Sequence, residues 1–164
     1  MQEKSCCFFG HRKIEITDTF KITLYNTIKK LIIEENVSIF YFGNKSQFND
    51  ICYSVVCELK KLYPHIKRVY VRAQFPVISK NYEAYLLEKY EETYYPHRVI
   101  NAGKASYIKR NYEMIENSTF CVIYYDENYI PPARKNSNTL SESGTKIAFK
   151  YAMKQKKILI NLCK

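Results

Sequence analysis

The chain has 164 residues, 46% of them hydrophobic and 26% charged, a composition that supports a buried core and excludes intrinsic disorder as its main state. Only 4 glycines and 5 prolines occur, which excludes collagen-like and low-complexity architectures, and no apolar run approaches the ~18 to 20 residues of a membrane span. With 26 basic and 16 acidic residues the net charge is +10, which favours polyanionic partners through steering and counterion release.

The lysines are scattered, as at Lys29, Lys30, Lys60, Lys61, Lys154, Lys156 and Lys157, a pattern of solvated faces and helix C-termini more than of a nucleic-acid stripe. The 6 cysteines, at positions 6, 7, 52, 57, 121 and 163, form no C-x-x-C pair and have no metal-finger spacing with the 3 histidines. They read as small core hydrophobes in a reducing compartment. The apolar stretch 6–9 is too short for a signal-peptide core, so the expected location is cytoplasmic, with no membrane partner.

In chain order, residues 6–9 read as a buried strand ending at Gly10-His11-Arg12. Thr17-Asp18 caps a helix with Phe20, Leu24, Ile28, Leu31 and Ile32 on one face. Residues 37–42 form a second strand stopped by Gly43, and Ser46 opens a helix carrying Phe48, Cys52, Val55, Val56 and Leu59, which ends before Pro64. A third strand spans 69–71. Beyond it, 82–90 reads as a short helix and 98–101 as a short strand. From Lys104, Ala105, Ile108, Tyr112 and Ile115 share a helical face, ahead of a strand at 119–125. The segment 126–140, with Pro131-Pro132, reads as a long exposed loop. It leads through Ser143-Gly144-Thr145 into a helix with Ile147, Ala148, Tyr151 and Ala152 inward, and then to a closing strand at 157–162. Strands alternating with helices predict one α/β domain over 1–164, a Rossmann-like three-layer fold with a mostly parallel sheet.

In such a sheet the binding crevice lies at the C-terminal ends of the strands. Gly10, His11 and Arg12 follow the first strand, where an anion is readily gripped, although the same residues serve a plain turn. Gly43 leads into a helix N-terminus, and Ser143, Gly144 and Thr145 flank another, both favourable to anions. Neither G-x-G-x-x-G nor G-x-x-x-x-G-K-[ST] occurs, so no motif supports a dinucleotide oxidoreductase or a P-loop NTPase. Arg110 and Asn111 point away from Ile108 and Ile115 and read either as a solvated polar pair or as ligand contacts. Asp126 suits a ribose hydroxyl or a turn. Tyr107, Tyr124, Tyr125 and Tyr129 lie near the expected rim, where a ring can stack on a base. His65 and His97, beside prolines, read as loop residues.

Taken in order, F-F-G-H-R at 8–12, F-G at 42–43, K-R-N-Y-E-M-I-E-N-S at 109–118 and S-G-T-K-I-A-F-K-Y-A at 143–152 resemble the SLOG superfamily, specifically its YpsA-like branch of small stand-alone proteins. The resemblance covers nearly the whole chain and is weakest over 126–142. It implies a Rossmann-like domain that binds nucleotides or nucleotide-derived signals, and it implies homo-oligomers. Relatives that are phosphoribohydrolases carry a Gly-Gly-x-Gly-Thr-x-x-Glu motif with an Arg and a Met on the preceding helix. Arg110, Met114, Gly144 and Thr145 match that pattern, but Ala148 stands at the Glu position.

Alanine supplies no carboxylate for an oxocarbenium-like transition state, so binding is expected in preference to cleavage. The expected ligand is a nucleotide or an ADP-ribose-type molecule, with no required cofactor and no metal. Arg12 and Arg110 would pair with phosphate, Ser143, Gly144 and Thr145 would cradle it, Gly10 and Gly43 would permit close approach, and Asp126 would hold a ribose. The rival readings are an N-glycosidase using Glu142 or Asp126 as a displaced carboxylate, and a DNA-binding module using the net positive charge.

Overall fold

The computed structural model describes residues 3–43, 45–129 and 143–163. Strand β1 (Lys4–Gly10) leads to α1 (Asp18–Glu34), β2 (Val37–Phe42), α2 (Gln47–Leu62), β3 (Lys67–Val71), α3 (Lys80–Lys89) and β4 (Glu92–Tyr94). Next come α4 (Ser106–Glu116), β5 (Phe120–Tyr124), α5 (Gly144–Lys154) and β6 (Ile158–Asn161). The strands make one sheet in the order β4-β3-β2-β1-β5-β6, with each neighbouring pair parallel. This is the Rossmann-like three-layer α/β fold, and its sheet is parallel throughout the described strands. From β1 the chain winds outward to β4 and then returns to place β5 on the other side of β1. The β1/β5 boundary is therefore the topological switch point, where the loops leaving the two strands diverge and open a crevice.

Alternation along β1 divides the core between the two faces of the sheet. Cys6 and Phe8 join the apolar residues of α1 and α2, whereas Cys7 and Phe9 join Met114 and Ile115 of α4 and Ala148 and Ala152 of α5. Phe8 stacks on Phe42 with ring centres 5.2 Å apart. Cys7 lies in register with Cys121, their sulfurs 3.5 Å apart. Burial raises the Cys6, Cys7 and Cys52 thiols well above their ordinary range, which suits packing groups rather than nucleophiles. Thr17, Ser46, Ser79 and Ser143 each cap a helix by accepting from an amide three residues on. No helix among the described residues is long and apolar enough to cross a membrane.

Two local expectations are corrected. The strand expected at 98–101 is instead a 3-10 turn, His97–Val99, and the edge strand is β4. Pro96 has no amide hydrogen for a ladder, and its carbonyl accepts from Val99 N at 3.1 Å to close the turn. Arg98 then pairs with Glu113 and Glu116, fastening that turn to α4. The buried face of α4 is also rotated from the expected one. It consists of Arg110, Asn111, Met114 and Ile115, with Ile108 and Tyr112 only partly covered.

Gly10 is demanded by packing within the chain, because a Cβ there would collide with Cβ and Cγ of Phe48 on α2. Gly144 has open space around its Cβ direction and an ordinary φ. Gly10→Ala is therefore expected to lower unfolding free energy in urea by about 1–3 kcal/mol. Gly144→Ala should change it by less than about 1 kcal/mol. Equal effects at the two positions would contradict this assignment.

Candidate functional site

The parallel sheet gathers the strand C-termini and the starts of the following helices along one rim. At the β1/β5 mouth, His11 is 2% exposed. Its Nε2 lies 2.8 Å from the backbone N of Asp126 and 3.2 Å from the carbonyl oxygen of the same residue. The shorter contact makes Nε2 an acceptor from Asp126 N–H, which leaves the ring proton on Nδ1. That nitrogen is buried and has no hydrogen-bond partner among the described residues. The imidazole stacks on Tyr129 at 3.9 Å and is flanked by Tyr125 at 5.9 Å and Tyr124 at 6.4 Å. Burial lowers the His11 pKa below its usual value, opposed by the Asp126 carbonyl, to which a protonated Nε2 would donate, and by that residue's charge.

Asp126 itself forms a turn, its Oδ1 accepting from Asn128 N at 2.9 Å. Tyr125 stacks on Phe149 of α5 at 4.7 Å, linking this mouth to the helix that Ser143 caps by accepting from Lys146 N at 3.1 Å. The structure thus brings Gly10, His11 and Asp126 together, with Ser143, Gly144 and Thr145 at the start of the linked helix. Glu142 and the rest of 130–142 lie outside the described residues. Ala148 is buried in the core cluster with Cys7 and Phe9.

Toward β2 and β3 the same rim opens into a cavity of about 500 Å³. One wall holds Arg12 from the β1 loop, Gly43, and Lys45, Ser46 and Asn49 at the start of α2. The other holds Tyr70 of β3 and Tyr82, Tyr85 and Lys89 of α3. Arg12 O accepts from Gln47 N at 2.9 Å, which fixes the β1 loop against the first turn of α2. The side chains of Arg12 and Lys45 are exposed and make no hydrogen bond or ion pair with the described residues. Lys89 Nζ sits 4.7 Å from the centre of the Tyr85 ring. Among the described residues, three cations therefore line the cavity against a single carboxylate, Asp50. Clefts of this size, with aromatic walls and a few charged groups, are typical seats for small molecules.

Behind that cavity Arg110 is 3% exposed. Its Nη1 donates to Gly43 O at 2.6 Å, with Val71 O at 3.4 Å, and its Nε donates to Asn111 Oδ1 at 2.9 Å. Burial pulls its pKa down to about 10, against the opposing influence of Tyr70 and Tyr107, so it stays charged at neutral pH. The sequence set this arginine against a phosphate; the structure sets it on the carbonyls that end β2 and β3. Gly43 is a consequence, since a Cβ there would lie 2.9 Å from Arg110 Cδ and Nη1 and 3.0 Å from Val71 O.

Sequence reasoning missed Lys45, Asn49, Tyr70, Tyr82, Tyr85 and Lys89. For α3 the available signal was the i, i+3, i+7 spacing of Tyr82, Tyr85 and Lys89, which puts them on one helix face. Among the described residues no three His, Cys, Asp or Glu side chains converge as a metal site would. Compared with family models and with curated proteins, the chain matches none.

The lowered pKa of His11 gives a pH test. Below its unfolded pKa of about 6.5 the unfolded chain takes up a proton that the native imidazole does not, so native stability falls as pH drops through that range. His11→Gln should flatten the stability profile between pH 7 and about pH 5.5 in urea unfolding. Identical slopes in the two proteins would contradict the buried neutral imidazole.

Proposed function

We propose that this chain is a SLOG-like binding domain holding a nucleotide or a nucleotide-derived, ADP-ribose-type ligand at the C-terminal rim of its sheet. The observation that carries this reading is a pair of cations with no partner among the described residues, Arg12 of the β1 loop and Lys45 just ahead of α2, facing the tyrosines of α3 across the cavity. A nucleotide joins the two features such a site recognises. Its phosphate is drawn to guanidinium, ammonium and the positive end of the helix, and its base offers a face to aromatic side chains. The +10 net charge adds long-range attraction for an anion.

Binding without cleavage fits the chemistry of the site better than N-glycoside hydrolysis. Ala148, at the position of the hydrolase carboxylate, is a buried core residue, and the Asp126 carboxylate is engaged in its own turn. We read the domain as cytoplasmic, in keeping with the thiol cysteines at 6, 7, 52, 57, 121 and 163, and as a homo-oligomer by its resemblance.

Thermal denaturation with AMP, ADP, GTP, NAD, ADP-ribose and cyclic dinucleotides tests the proposal. A ligand at 100 times its Kd should stabilise the protein by about 2.7 kcal/mol, raising Tm by about 5–10 °C. Arg12→Ala should keep the unliganded Tm and lose the shift. Arg110→Ala should lower the unliganded Tm itself, because it strips donors from buried carbonyls. No shift with any compound, or an undiminished shift in Arg12→Ala, would contradict the proposal.

A further inference from the structure

We infer that Asn49 reads a sugar hydroxyl of a mononucleoside phosphate whose phosphate lies at Arg12 and Lys45 and whose base lies against the α3 tyrosines. This rests on the nucleotide reading above and adds to it an orientation and a specificity residue. The starting observation is an acceptor without a donor. Asn49 is 8% exposed and lines the cavity, yet its Oδ1 is buried with no hydrogen-bond partner among the described residues. Its backbone is held, since Asn49 N–H donates to the Ser46 cap at 3.0 Å. A buried acceptor left without a donor is costly, so Asn49 calls for a donor supplied by a ligand.

The sign of that demand sorts the groups of the ligand. Phosphate near neutral pH offers mainly acceptor oxygens and does not satisfy Oδ1; a hydroxyl or an amino group does. Phosphate has its own partners in Arg12 and Lys45 and in the helix dipole. The α2 amides contribute less, because Gln47 N–H is already given to Arg12 O and Asn49 N–H to Ser46 Oγ. Asn49 stands three residues beyond the cap, about 4.5 Å along the axis, which is the reach from a phosphate to its sugar rather than to the far edge of the base. Across the cavity, Tyr82 and Tyr85 present rings at successive turns of α3, the sequence-tolerant surface on which a base stacks.

Titration calorimetry with AMP, GMP, CMP and UMP, and then with the 2′,3′-dideoxy counterpart of the tightest binder, tests the assignment. Wild type should prefer the ribonucleotide by about tenfold, the value of one hydrogen bond. In Asn49→Ala the ribonucleotide and its dideoxy counterpart should bind equally, while Asn49→Ser, which retains an acceptor, should keep part of the preference and serves if the alanine variant does not fold. Equal binding of the two by wild type, or a preference that survives in Asn49→Ala, would overturn the role of Asn49 while leaving the nucleotide reading intact. Failure of all four mononucleotides to bind would overturn this inference, and the nucleotide reading then stands or falls on the larger ligands of the thermal panel.

Discussion

The rim is organised around one buried cation. Arg110 reaches from α4 to the carbonyl that follows β2, with the end of β3 beside it, and anchors its own Nε on the neighbouring Asn111. A guanidinium removed from water must be surrounded by acceptors, and backbone carbonyls at strand ends are acceptors left over when the ladder stops. This contact fixes Gly43 as the residue that fits beneath the arginine. It also sets where the chain leaves β2, and therefore where Ser46 can cap α2. The cationic wall of the cavity is built on that turn.

The electrostatics of the rim follow a division of labour among its arginines. Arg110 has exchanged water for carbonyls and holds the scaffold. Arg12 lies just beyond the switch point and, at its side chain, has no partner among the described residues. Arg68, which pairs with Glu91 at 2.6 Å, and Arg98, which pairs with Glu113 and Glu116, belong to surface networks that fasten β4 and the 97–99 turn. Only the cations left unpaired are ready for an external anion, so a count of basic residues overstates the functional charge.

Much of the scaffold was legible from local signals. The buried runs of β1 and β2 and the caps at Thr17, Ser46 and Ser143 depend on residues close in sequence, and they stand where periodicity placed them. The α4 face was misjudged because apolar periodicity ranks Arg110 and Asn111 as solvent residues, whereas carbonyls from β2 and β3, far away in sequence, make burial favourable. Gly10 and Gly43 were noticed for their position but interpreted as openings toward a ligand; Phe48 and Arg110 occupy the space instead. The α3 wall went unread because Tyr82, Tyr85 and Lys89 acquire meaning only when parallel pairing of β3 and β4 brings their helix opposite the start of α2.

The proposed ligand sits on the α2–α3 side of the rim rather than at the α5 N-terminus that the resemblance favours. Backbone amide chemical-shift mapping by NMR, with a saturating mononucleotide, addresses this location most directly. The account predicts the largest perturbations at Arg12, Gly43, Ser46, Asn49, Tyr82 and Tyr85. Perturbations confined to Ser143, Gly144, Thr145 and their neighbours on α5 would contradict it.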